Sequence, residues 1–208
     1  MAFETWLAFC AATMALLLIP GPTVLLILSY ALSQGRRVAV ATALGVALGD
    51  FIAITASLLG LGALVLASAT AFTVLKWVGA IYLIWLGIGL IRTAPSARLG
   101  DIGNEGPAPA RRVFGHACLV TALNPKGITF FIAFVPQFVD TQAALAPQFA
   151  ILIATFVGLA TGNTLIYALL ADAMRDRIGR PAVLTWMTRM GGAALIAMGI
   201  TTALLRRA

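Results

Sequence analysis

Asp50, Lys126 and Asn163 each stand well inside a long apolar run, where a sequence this hydrophobic has little room for polar groups. An ionised side chain at the middle of a bilayer costs about 2.5–3.5 kcal/mol on insertion scales, so such groups face the interior of a helix bundle and find partners there. An acid and a base at one depth can do three kinds of chemistry. They can form a structural ion pair, hold the two charges of a zwitterion, or hand over a proton. Asp50 is the candidate for a substrate ammonium or a coupling proton, with Lys126 as the neighbouring charge. Asn163 is a neutral hydrogen-bonding group at matching depth. A pair that separates during a transport cycle would serve as both structure and site.

The second chemical feature is backbone rather than side chain. Pro20-Gly21-Pro22 interrupts one apolar run, and Asn124-Pro125-Lys126-Gly127 interrupts another. Pro20 and Pro22 have no N–H to give to the carbonyls of Leu16 and Leu18, and Pro125 has none for Thr121. Ile19, Gly21 and Asn124 precede prolines and are pushed toward extended backbone. Each run is therefore expected to be a broken helix, with carbonyls freed before the break and N–H groups after it. Such groups cost several kcal/mol in lipid unless protein, water or a ligand satisfies them. The half-helix starting at Thr23 offers a positive end suited to a carboxylate. A plain proline kink packed by neighbours would explain one such break. Two breaks at corresponding places favour a binding role for Pro20, Gly21, Pro22, Thr23, Asn124, Pro125 and Lys126.

The elements that position these groups follow from composition. Of the 208 residues, 61% are hydrophobic and 10% charged, with a mean hydropathy of +1.01. Soluble domains carry about 25% charged residues. Six apolar segments, at 5–30, 38–66, 72–91, 113–135, 147–171 and 184–205, each meet the ~20 residues needed to cross ~30 Å of hydrocarbon. With no water to satisfy peptide groups, they must be helices, so an all-α integral membrane fold is expected in contact with the lipid bilayer.

The net charge of +7 does not mark a nucleic-acid surface, because the basic residues fall in short clusters between spans. Arg36-Arg37, Arg92 to Arg112, and Arg175 to Arg189 occupy alternate connections, which places those connections in the cytoplasm and the N-terminus outside. Arg206 and Arg207 at the far end run against this pattern. Cys10 and Cys118 lie in apolar runs and read as small buried residues rather than a disulfide. His116 reads as an interfacial residue, and Trp6, Trp77 and Tyr82 as interfacial anchors. Asp172 and Asp176 read as a solvated helix end. The first apolar run carries Glu4 with no early Lys or Arg, unlike a cleaved leader.

The chain is also written twice. "GVALGD" at 45–50 matches "GLATGN" at 158–163, and "KWVGA" at 76–80 matches "RMGGA" at 189–193, both pairs 113 residues apart. The proline breaks correspond at an offset of 105. The expected organisation is a first three-helix repeat at 1–92, a Pro- and Gly-rich cytoplasmic linker at 93–112, and a second repeat at 113–208. Three spans per repeat put the second upside down relative to the first. Inverted repeats whose first helices are broken point to a transport site near the bilayer midplane. Gly45-xxx-Gly49 and Gly158-xxx-Gly162 are expected to allow close helix contact, within the bundle or in a homodimer.

"PGP" at 20–22, "GVALGD" at 45–50, "VGAIYLIWLG" at 78–87 and "LNPKGITFF" at 123–131 together resemble the lysine exporter/threonine-homoserine resistance (LysE/RhtB) family. The resemblance covers nearly the whole chain. It implies export of amino acids or similar small metabolites across the bacterial inner membrane, driven by a proton or ion gradient, without naming the substrate. No hydrolase triad, phosphate loop or metal-ligand spacing occurs in the sequence, so neither an enzymatic activity nor a cofactor is expected. Two rival readings use the same residues: an exporter of an inorganic cation, and a membrane-embedded lipid enzyme. The enzyme would want its acids, His or Ser at one interface, whereas the polar groups here lie at mid-depth. A scaffold would leave Asp50 and Lys126 without a purpose.

Overall fold

A computed structural model describes residues 1–18, 23, 24, 26, 27, 30, 31, 36–67, 69–93, 108–178 and 181–204. Pro20, Gly21, Pro22 and most of the 93–112 linker lie outside the described residues. Among the described residues there are helices and no strands. The helices are α1 (Phe3–Leu18), α2 (Arg36–Ala67), α3 (Ala69–Thr93), α4 (Ala110–Ala122), α5 (Pro125–Thr129), α6 (Leu145–Ile178) and α7 (Pro181–Leu204). Thr23, Val24, Leu26, Ile27, Tyr30 and Ala31 are also helical. Among the described residues, three stretches are long and apolar enough to cross a membrane: Val40–Ala63, Ala110–Phe138 and Leu145–Tyr167. Phe3–Leu18 and Trp77–Arg92 are shorter apolar helices. Large apolar side chains such as Phe51, Leu59, Ile81, Trp85, Leu123 and Trp186 are exposed, which suits a surface bathed in lipid rather than water.

The second interrupted span shows how proline chemistry writes local structure. α4 stops at Ala122 because Pro125 cannot reach back to Thr121. The Asn124 N–H donates to the Thr121 carbonyl instead, at 3.1 Å, and the Leu123 N–H donates to Leu119 at 3.0 Å. Asn124 is extended (φ −69°, ψ 113°), as its place before a proline requires, and Pro125 opens α5 at the first helical position. The chain then passes through a π-helical turn at Phe130–Phe134 and a 3-10 turn at Val135–Phe138. Phe130, Phe131, Phe134 and Phe138 bury there with Phe9 and Phe156. Phe131 meets Phe156 edge-on, with ring centroids 4.7 Å apart. Beyond the turn, Gln148 closes the connection to α6. Its side-chain oxygen accepts from the Asp140 N–H at 2.8 Å, and its amide donates to the carbonyls of Asp140 and Ala144.

Packing reveals the directions of the helices. The most extensive contacts are α2 on α4, α3 on α7, and α2 on α6. A Cβ built on Gly45 would meet Phe114 and Ala117, and one on Gly49 would meet Cys118 and Thr121. The two contacts advance together along both chains, so α2 and α4 run parallel. A Cβ on Gly87 would lie 2.5 Å from the Gly192 carbonyl oxygen, and one on Gly199 would lie 2.7 Å from that of Ala80. Here one number rises as the other falls, so α3 and α7 run antiparallel with backbones in direct contact.

The interrupted spans are antiparallel as well. Phe9 meets Phe138 edge-on, Leu16 meets Lys126, Thr23 meets Thr121 and Asn124, and Tyr30 meets His116. One sequence climbs while the other descends.

The two glycine pairs of the repeat behave differently. Gly45 and Gly49 are buried against α4, as expected. Gly158 and Gly162 have nothing within 4 Å of a built Cβ, and Gly158 is exposed. Of the two contacts expected there, the one within the bundle is not found at that second pair. Gly162 is half-buried, and one turn before Gly158 the indole of Trp6 reaches across from α1 to Thr155 (Nε1 to Oγ1, 3.0 Å).

The contrast supplies a stability prediction. Gly192→Ala forces a methyl against the Gly87 backbone and should destabilise the protein by about 1–3 kcal/mol, the usual cost of overpacking. Gly158→Ala should be neutral or slightly stabilising. Thermal unfolding of both variants in one detergent measures the difference, and equal melting temperatures would contradict the packing described here.

Candidate functional site

The site is assembled at the C-terminal end of α1. The carbonyls of a helix's last turn have no partners within the helix. That of Leu16 has the added disadvantage that the residue four positions on is Pro20. Lys126 supplies the missing donor: its Nζ donates to the Leu16 carbonyl oxygen at 3.1 Å. Next to it, the Asn163 Nδ2 donates to the Leu17 carbonyl oxygen at 3.4 Å. A cation at this negative end of α1 also complements the helix dipole. Thus α5 and α6, both from the second half of the chain, cap a helix of the first half.

Asn124 ties the layer together. Its Oδ1 accepts the Lys126 N–H at 3.1 Å and caps α5, while its Nδ2 donates to the Thr23 hydroxyl at 3.1 Å. The Thr23 and Thr121 hydroxyls lie 3.5 Å apart. Asp50, only 8% exposed, follows Gly49 on the part of α2 that packs on α4. Its carboxylate lies within Coulombic range of the Lys126 ammonium. Asn163 and Asn124 are buried too. In this layer an anion, a cation, two amides and two hydroxyls converge on the interrupted spans.

Of the residues singled out from sequence, Thr23, Asn124, Lys126 and Asn163 come together directly, and Asp50 stands beside them. Pro125 begins α5 and is exposed. Its contribution is to the break itself. Pro20, Gly21 and Pro22 lie outside the described residues. The amide of Lys126, expected to be available for a ligand, is occupied by Asn124.

Two features escaped sequence reading. His116 accepts or donates a 2.9 Å hydrogen bond with the buried Tyr30 hydroxyl, with the rings edge-on at 6.1 Å. A Tyr on one interrupted span and a His on the other gave no local signal, because their meeting depends on the antiparallel register. The second feature is Thr13, wholly buried on α1, whose hydroxyl has no hydrogen-bond partner. A buried polar group left unpaired costs about 1–3 kcal/mol.

A family model described as "LysE type translocator" matches residues 14–206. A homoserine/homoserine lactone efflux protein of Salmonella typhimurium is 33% identical over 208 residues, covering 100% of both chains. An uncharacterized membrane protein of Vibrio cholerae is 32% identical, covering 98% of each. A leucine efflux protein of Klebsiella pneumoniae is 28% identical over 66% of this chain and 65% of its own. No solved structure matches the chain.

The capping geometry makes a direct prediction. Asn124→Ala removes the α5 cap and the bond to Thr23, and should lower stability by about 1–2 kcal/mol. Asn124→Asp keeps the capping oxygen and should lose less. Chemical or thermal unfolding in detergent ranks the two, and a reversed order would contradict the capping role.

Proposed function

The chain belongs to the LysE-type translocator family, and on that premise we propose that it is a secondary exporter of amino acids or closely related small metabolites. The full-length relative named for homoserine and homoserine lactone efflux supports this substrate class, as does the relative named for leucine efflux. The observation that carries the reading is the Lys126 ammonium, held at an interrupted helix beside the Asp50 carboxylate. A zwitterion presents the complementary pair of charges. Its carboxylate can replace the Leu16 carbonyl as the acceptor for Lys126, and its ammonium can take Asp50. Asn163, Asn124 and Thr23 then supply neutral hydrogen bonds around it, with Pro20, Gly21, Pro22 and Pro125 setting the breaks.

In this proposal the molecule is a six-span protein of the inner membrane. Its repeats at 1–92 and 113–208 are related by inversion and joined through 93–112, and its N-terminus lies outside. The antiparallel pairing of the two interrupted spans, and of α3 with α7, is the arrangement that inversion requires of equivalent helices. Alternating access then follows from exchanging the conformations of two similar halves around a fixed central layer. Asp50 couples export to protons by holding either the substrate ammonium or a proton, never both.

The test uses the whole protein in proteoliposomes loaded with homoserine or leucine. An imposed proton gradient should accelerate efflux through the wild type. Asp50→Asn, inserted at the same level, should lose that gradient-driven component down to the rate of empty vesicles. Gradient-driven efflux persisting in the variant would remove Asp50 from the coupling step. A wild type that moves no amino acid at all would sink the export reading.

A further inference from the structure

Threonine in a membrane helix usually folds its hydroxyl back onto the carbonyl four residues earlier. Thr42 does so to Val38 at 2.9 Å and Thr161 to Val157 at 2.7 Å. Thr13 does not. It is 0% exposed and its hydroxyl has no partner. Its neighbours on the same face of α1, Phe9 and Leu16, belong to the aromatic-rich core with Phe130, Phe131 and Phe156. A hydroxyl withheld from its own backbone, and walled by apolar side chains, is a single point of polarity in a greasy surround. Such a hydroxyl is a buried donor and acceptor that gains a bond only from a polar group brought to it.

Its position fits the charged layer. Thr13 precedes Leu16 by three residues, about 4.5 Å along the helix axis. That places it within one helical turn of Leu16, whose carbonyl Lys126 meets. The other partnerless hydroxyl among the described residues is Thr55, five residues beyond Asp50 on α2. Because α1 runs antiparallel to α4, and α2 parallel to it, stepping back along α1 and forward along α2 leads to the same side of the layer. Both vacant hydroxyls therefore lie on one side of the Asp50–Lys126 pair.

We propose that Thr13 is a specificity-determining contact of the substrate site. Its hydroxyl receives the terminal hydroxyl of a short aliphatic amino acid whose carboxylate is held by Lys126. Such a substrate lays its methylenes against the apolar side chains of α1 and satisfies Thr13 at its tip. A purely aliphatic side chain leaves the hydroxyl unpaired and is taken less well. This rests on the reading of the protein as an amino-acid exporter and adds the class of side chain.

The experiment loads proteoliposomes of the full-length protein with equal homoserine and leucine and reads the ratio of their initial efflux rates. Because both substrates leave the same vesicles, the ratio is independent of how much protein inserts. Thr13→Val keeps the shape and removes only the hydroxyl, and should lower the homoserine-to-leucine ratio by about tenfold, the worth of one hydrogen bond to a buried partner. Thr13→Ser restores a hydroxyl and should stay within about twofold of wild type, as should Thr161→Val, whose hydroxyl is already spent on Val157. An unchanged ratio in Thr13→Val, with both substrates still exported, overturns the role of Thr13 and leaves the export reading standing. A ratio shifted equally by Thr161→Val also overturns it. Export of neither substrate by the wild type overturns both.

Discussion

In hydrocarbon a backbone carbonyl has no water to turn to, so every helix that stops inside a membrane must be finished by something else. α1 is described to Leu18, and two carbonyls of its last turn, those of Leu16 and Leu17, are met from across the bundle. Residue 20 is a proline, and the carbonyl of Leu16 is met by the ammonium of Lys126 across the bundle. Asn163 does the same for Leu17. The cation and the helix end satisfy each other: a lysine that would be costly in lipid gains an acceptor, and a carbonyl that would be orphaned gains a donor. Asp50 completes the charge balance. The rest of the layer, from Asn124 through Thr23 to Thr121, holds the second interruption against the first. The second break is finished locally, since Asn124 serves both the carbonyl before it and the amide after it. The carbonyls of Leu16 and Leu17, ahead of the first, are met by side chains from other helices. That asymmetry concentrates charge at one end of one half-helix.

Much of this was legible in the residues. The extended backbone at Asn124, the stop of α4 and the restart at Pro125 follow from proline stereochemistry alone. The depth of Asp50, Lys126 and Asn163 could be counted along apolar runs. What could not be counted was register. Nothing local says that Lys126 finds Leu16, that Tyr30 finds His116, or that Thr13 turns away from its own backbone. Those facts belong to the antiparallel fit of two distant spans. The π-helical turn at Phe130–Phe134 was hidden for a related reason. Its phenylalanines are as compatible with a regular helix, and the irregular turn arises where they pack against Phe9 and Phe156. The glycine pairs teach the same lesson. Gly45/Gly49 and Gly158/Gly162 are nearly identical words, yet only the first is read by a neighbouring backbone.

The relation between the halves is visible in how they touch rather than in how each is built. Helices of one half finish, face or close on helices of the other: α1 with α5 and α6, α2 with α4, α3 with α7. Cohesion is therefore shared across the central layer. A helix pair held only within its own half could drift apart from the rest. Here the buried polar groups of that layer are also the groups that join the halves.

The contact between α3 and α7 has a mechanical side. At Gly87 against Gly192, and again seven residues along at Ala80 against Gly199, peptide planes touch with no side chain between them. Surfaces interlocked at that range cannot slide by a fraction of a turn without collision, since close-packed interiors yield little. In the proposed export cycle this pair would serve as a stator, leaving rearrangement to the spans that meet through side-chain hydrogen bonds at Leu16, Thr23 and Asn124 rather than through backbone keyed into backbone.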